Sequence, residues 1–467
     1  MLIIILKELK ELIRDGRIKI AAIILLILLL IAVITGFFQY EKSSHQHQES
    51  TSKERSIWES QKEKNPHAAA HYGTYVFKPK FALSLFDYGI TNYTGNSIFI
   101  EAHKKNNASF SEASDQTSLT RFGTLSINFV LLYLFPLIII LIGYNTYTKE
   151  IESQTYLLLK SQGIHPIKLV IGKWFAVFFP VFMLTTIVFL VLGTILSQIN
   201  NLEFFSWISI WTLLGIYLLY YLIITSLTVL ISMWSKSSGI SLVSSLFIWI
   251  LFSFITPKIA TNFANIKNPY PSKSAFNAKI EKDKKNGLDG HNPWNEAAKK
   301  LEIETLNKYG VDSIEKLPFN YVGYRMQKGE EHEAEIYKKN YAKLKQIALK
   351  QNNSYKRLAY LSPFISLRFL SMDIANSSDN LHWKFTEEVE KYRIQKQKFL
   401  NDDIKDNSII GERGYTMSSE KFKKLPKFSF TPPPLLEILK DNKQGLLFLT
   451  LWLIIPFIGL FVSAKKI

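Results

Sequence analysis

The chain has 467 residues, none of them Cys, and its 56 Lys and Arg against 39 Asp and Glu give a formal net charge of +17. Without Cys there is neither a disulfide framework nor a thiolate metal site. Apolar residues gather in runs near the roughly 20 residues that cross a bilayer, which excludes an ordinary soluble domain. The positive charge is read as basic flanks beside anionic lipid together with a basic extramembrane domain, and not as a nucleic-acid surface.

In chain order, the first span is expected over residues 20–38. A cleaved signal peptide is the rival reading, but Gln39-Tyr40-Glu41-Lys42 offers no small-x-small cleavage site, so the segment is read as a retained anchor. Residues 39–123 form a first insert. It opens with the polar, mobile stretch "EKSSHQHQESTSKERS" and becomes aromatic and turn-rich, punctuated by Gly73, Pro79, Gly89 and Gly95, which suggests short strands or turns. Further spans are expected over 124–144, 174–196, 207–234, 240–256 and 446–464, with a polar loop at 145–173 and a short tail at 465–467.

The second insert, 257–445, is expected to be mainly helical. Tyr337, Tyr341, Leu344 and Ala348 repeat at helical spacing, as do Phe385, Val389, Tyr392 and Phe399. Pro432-Pro433-Pro434 should return the chain to the bilayer as a stiff extended entry. The two inserts are expected to pack together as one domain. The fold class is thus an all-α polytopic membrane protein with six transmembrane helices and a mainly helical extracytoplasmic domain.

Orientation follows from Lys and Arg in the short loops. Lys7, Lys10, Arg14, Arg17 and Lys19 precede the first span, Lys149, Lys160, Lys168 and Lys173 lie in the 145–173 loop, and Lys465-Lys466 end the chain, whereas Gln198–Phe205 has no basic residue. Both termini are therefore expected in the cytoplasm. Lys258–Lys443 carries 34 Lys and Arg against 24 Asp and Glu, but long segments cross largely regardless of charge.

Motifs for chemistry are few. His67 and His71 stand four apart, a spacing that zinc ligands use on a helix, yet Pro66 and Gly73 bracket them and no carboxylate completes a known pattern. His45, His47 and His103 share the segment. "HEAEI" from His332 fails the zincin pattern at Ile336, and Gly172-Lys173 fails the P-loop pattern, being followed by Trp174. No G-x-S-x-G is present. The spans carry essentially no charge, which disfavours an ion-coupled carrier.

The 145–173 loop is unlike its neighbours. Thr148 can cap one amphipathic helix with Glu150 and Glu152 in its first turn, Gly163 can stop it, and Pro166 can open the next helix. Ile151, Thr155, Leu158 and Leu159 would share a face. Two readings stay open on this ground: an interfacial helix on lipid headgroups, or a helix docked in the groove of a separate motor protein.

The stretch resembles the signature of ABC-2-type transporter permeases. Glu150 and Glu152 match its paired acids, Thr155 its Thr, Leu158 and Leu159 its leucine cluster, Ser161-Gln162 its Ser-Gln, and Gly172-Lys173 its closing pair; Gln154 stands where Gly is usual, Lys160 interrupts the leucines and Gly163 replaces Pro. "NPHAAAHYG", "EAHKKN", "RFGTLS", "YGVDSIEKLPFNYVGYRMQKGEE", "LSPFISLRFLSMDIA" and "YRIQKQKFLN" resemble a bacterial subfamily with large inserts after the first and fifth spans.

The resemblance implies a permease subunit of the bacterial inner membrane, paired with itself or a paralogue and driven by a separate ATP-binding protein. That partner would hold the ATP and magnesium, and this chain would bind no cofactor and catalyse no reaction. Glu150, Glu152, Thr155, Leu158, Leu159, Ser161 and Gln162 would contact it, and residues 1–19 would be a cytoplasmic amphipathic lead-in. The cargo is unnamed, with export or envelope work implied. A receptor or scaffold sensing a ligand outside, and a membrane-bound metallohydrolase using His67 and His71, are the alternatives.

Overall fold

The computed structural model describes residues 1–115, 125–199, 204–285, 287–412 and 414–466. Among them, six helices are long and apolar enough to cross a membrane. The only sheet among the described residues has two strands, so the chain is an all-α polytopic membrane protein. The expected start of the second span at Thr124, the end of the first insert and most of "RFGTLS" lie outside the described residues.

The first span departs most from expectation. One helix runs unbroken over Gly16–Glu59, 44 residues, or about 66 Å at 1.5 Å per residue, against a hydrocarbon core of about 30 Å. The stretch expected to be mobile is its outer half. No Gly or Pro interrupts residues 39–59. The far end is anchored by Trp58, 3% exposed, whose indole N–H donates to the Phe422 carbonyl at 2.9 Å.

The second span begins at Ile127 and passes through a π-helical turn, Val130–Leu134, before Phe135–Gly143. The Tyr221 hydroxyl, from the fourth span, donates to Leu131 O at 2.7 Å within that turn. A π turn shifts the backbone ladder and leaves a carbonyl for such a donor. The fifth span repeats the device: Ser238–Ile250 leads into a π turn at Leu251–Ile255, where Ser362 Oγ donates to Phe252 O at 2.9 Å, and the helix then continues as Thr256–Lys267, past its expected end at 256. The third span starts early, at Pro166, and runs to Gln198. The fourth, Trp207–Trp234, is the centre of the bundle, with Tyr217, Tyr220 and Tyr221 fully buried.

The inserts form one body. Strands Thr74–Phe77 and Ser97–Ile100 pair antiparallel, and the core beneath them includes Phe385 and Val389 from the helix Asp379–Asn407. That helix packs along Tyr321–Arg357. Pro434 is extended, φ −66° and ψ 150°, ahead of Leu435–Asp441 and the last span, Lys443–Lys466. One part of the second insert is not external to the bundle. Pro363–Ile374 lies with Phe364, Leu367, Leu370 and Ile374 in the same core as the spans. Its Ser371 Oγ donates to the buried Asp87 of the first insert at 2.6 Å.

Candidate functional site

The 145–173 loop does not form the single helix expected. Thr148–Glu152 and Thr155–Ser161 are separate short helices, broken at Gln154, whose φ of 58° is left-handed. Ser153 and Thr155 hydroxyls pair at 2.8 Å across the break, and such local bonds compete with the helical ladder. Gly, usual at this place in the signature the loop resembles, takes a left-handed conformation without steric cost. Nor is Thr148 the cap. It lies inside the first turn after Tyr147, and its hydroxyl pairs with Ser238 Oγ at 2.9 Å. Gly163, at φ 68°, and Pro166 delimit the second helix and the third span as expected.

Of the paired acids, Glu150 is turned inward and Glu152 is exposed. Glu150 is 5% exposed and accepts from Lys173 Nζ at 2.8 Å and Lys7 Nζ at 3.2 Å. It therefore offers little surface of its own at the loop. Lys173, 1% exposed, also donates to Glu8 at 2.8 Å and to the Thr146 carbonyl at 2.9 Å. Lys149 reaches Glu11 at 3.0 Å. Burial pulls the Lys7 pKa down, but the charges and hydrogen bonds of Glu8 and Glu150 outweigh it and raise the group above the ordinary lysine value.

Glu152 takes the Ser238 backbone N–H and hydroxyl, both at 2.7 Å, at the start of the fifth span. Gly172 completes the assembly, since a Cβ there would fall 2.9 Å from Ile4 Cγ2 and push the lead-in helix Leu2–Arg14 off the third span. The loop is thus fastened to the lead-in helix and to the third and fifth spans.

What the loop presents outward is apolar. Leu157 is 67% exposed and Leu158 62%, while Tyr156 and Leu159 on the opposite side pack against the span core. Thr155, Ser161 and Gln162 are exposed around this tip. Of the predicted residues, Leu158, Thr155, Ser161 and Gln162 share the surface, Glu152 lies at its edge, and Glu150 and Leu159 sit beneath it. Leu157 and Lys173 also lie in the 145–173 loop, but their roles depend on the break at Gln154 and on the lead-in helix, which spacing along the loop does not encode.

At the other end of the spans a cleft of about 830 Å³ is lined by Gln39, Asp87, Tyr88, Asn128, Tyr133 and Arg368. His67 and His71 lie in the outer body on the short helix Pro66–Tyr72, capped by Asn65 and ended by Gly73 at φ 67°, with their Nε2 atoms 3.1 Å apart.

Residues 273–431, within the second insert, match the family described as "Domain of unknown function (DUF3526)". No curated protein matches the chain.

Proposed function

We propose that this chain is the membrane-spanning permease subunit of an ABC-2-type transporter, moving a cargo outward or within the envelope by ATP hydrolysis on a separate ATP-binding subunit. The observation that supports it best is the pairing of an exposed Leu157–Leu158 tip with a loop fastened to three elements of the bundle. An interfacial helix needs only an apolar face toward lipid. The buried bridge from Glu150 through Lys173 to Glu8, together with the exposed hydrogen bonds from Ser238 to Glu152, gives this loop what a lever requires: displacement of the tip is passed to the lead-in helix and to the third and fifth spans.

In this reading the loop, both termini and the lead-in helix face the cytoplasm of a bacterial inner membrane. Nucleotide-driven closure of the ATPase presses on Leu157, Leu158 and the exposed side of Glu152. Two permease chains then tilt against each other, and the cleft beside Arg368 and the outer body meet cargo or an envelope partner.

The test is co-purification in mild detergent from the native host. The wild-type chain should bring down a Walker-motif ATPase, and Leu157→Asp/Leu158→Asp should lose at least nine-tenths of it while keeping its own melting temperature. Equal recovery with both chains, or no ATPase with either, overturns the reading.

A further inference from the structure

We propose that the outer body holds one divalent transition-metal ion with zinc's ligand preference, bound by His67, His71, His103 and His291 as a clasp between the two inserts. Each of the four offers a ring nitrogen within 4.8 Å of the others. His67 Nε2 lies 3.1 Å from His71 Nε2 and 3.2 Å from His291 Nε2. Tetrahedral zinc with bonds of about 2.0–2.1 Å places its ligand nitrogens about 3.4 Å apart, so the spacing is close to that of a coordination shell. The set is also drawn from three separate stretches of chain, two in the first insert and one in the second, which a packing accident does not require.

The surroundings hold each ring in place. His103 Nδ1 lies 2.7 Å from Glu330 Oε1, and its Nε2 is buried without a hydrogen-bond partner. Metal-bound imidazoles characteristically give their other nitrogen to a carboxylate, which fixes tautomer and orientation. Glu330 is itself held by Arg393 at 3.2 Å, and Arg393 by Glu390 at 2.9 Å. The backbone at His103 has φ 59°, a costly conformation for a residue with a side chain, and its N–H donates to Glu330 at 2.8 Å. The neighbouring Ala102 N–H donates to Ala70 O at 3.2 Å, which docks this turn on the helix bearing His67 and His71.

His291 is delivered by equally close packing. A Cβ on Gly329 would fall 2.6 Å from the Gly290 backbone, Arg325 Nε donates to Gly290 O at 3.2 Å, and the Asp289 carboxylate accepts from the His291 N–H at 2.9 Å. Four nitrogen ligands with two rings half-buried and two exposed suit a structural ion that pins the inserts, and this departs from the expectation that the chain binds no cofactor of its own.

The experiment uses the full-length chain in detergent, stripped with EDTA and then given Zn²⁺ alone. One equivalent should survive gel filtration and raise the melting temperature, and His67→Ala/His291→Ala should bind at least tenfold more weakly, whereas the control His45→Ala should match wild type. Because His291 lies on an exposed loop, His291→Ala alone should weaken binding while melting like wild type in chelator, which separates loss of a ligand from loss of fold. Co²⁺ should give a tetrahedral absorption spectrum that His103→Ala abolishes. Zinc retained equally by the double variant, no change in melting with zinc, or an octahedral cobalt spectrum would each overturn the clasp. None of these measurements needs an ATPase, so their failure leaves the permease reading untouched.

Discussion

At Lys173 three acceptors, Glu150, Glu8 and the Thr146 carbonyl, lie within 2.9 Å of one ammonium that is 1% exposed. Removing one partner of a buried pair costs about 3–5 kcal/mol, mostly because the other is left uncompensated, while replacing both is much milder. Lys173→Met leaves both Glu8 and Glu150 to share Lys7 alone; Glu150→Gln leaves Lys173 both Glu8 and the carbonyl. Melting in detergent should therefore rank wild type above Glu150→Gln and that above Lys173→Met, with the double variant recovering part of the Lys173→Met loss. A double variant worse than either single would mean the pair is not the coupling that the geometry describes. A second residue-scale effect concerns pH. His47 and His382 in the outer body are lowered to about 4, by burial first and then by Lys80 and Lys78 respectively. Between that value and the ordinary 6.5 the unfolded chain takes up protons that the folded chain refuses, so stability falls as pH falls through this window. Melting temperature should drop between pH 7 and pH 5, and His47→Gln/His382→Gln should flatten the slope; an unchanged slope would show that neither ring is neutral in the fold.

The elements divide into those that local pattern dictates and those that partners dictate. The stripes through Tyr337 and Phe385 were legible because helical periodicity is written in neighbouring residues, and both lie in long helices with Phe385 and Val389 fully packed. The outer half of Gly16–Glu59 was not, because its polar composition resembles a linker and its order comes from Trp58 and Arg55 meeting Phe422 and Lys423, more than 360 residues away in the chain. The break at Gln154 was missed for the opposite reason: Thr148 and Gly163 are good local signals, and tertiary bonds to Ser238 and Lys173 redistribute them. The four histidines were half legible. His67 and His71 stood out by spacing, while His291 joins them only through the approach of Gly290 to Gly329. The long helix can be checked directly, because a chain with no native Cys gives every introduced thiol a clean background. Single Cys variants from 41 to 57 should label with helical period, fast at Lys42, Gln46, Glu49 and Lys53 and slow at Ser44, His47 and Glu54, following their exposure. Uniformly fast labelling would restore the mobile stretch.

At the scale of the molecule, contacts sort the span ends into two groups. Trp234 at the end of the fourth span donates to Ser463 near the end of the sixth, Glu152 accepts from Ser238 at the start of the fifth, and Lys173 in the third reaches the lead-in helix. At the opposite end Tyr88 donates to Gln39, Asn128 N–H to Phe86 O, and Trp452 to Ala359 O. The polar loop therefore lies at one end and both inserts at the other. Lys7, Lys10, Lys149, Lys160 and Lys168 gather at the loop end, and an excess of Lys and Arg in short loops marks the cytoplasmic side. The proposed coupling to a separate ATPase requires that same orientation, since ATP is available only inside. A thiol at Leu157, at the exposed tip, should thus resist a membrane-impermeant maleimide in intact spheroplasts and react fully after lysis, whereas one at the exposed Lys343 in the outer body should react in both. The reverse pattern would put the apolar tip out of reach of any nucleotide-driven partner while leaving every helix, bridge and histidine where it is.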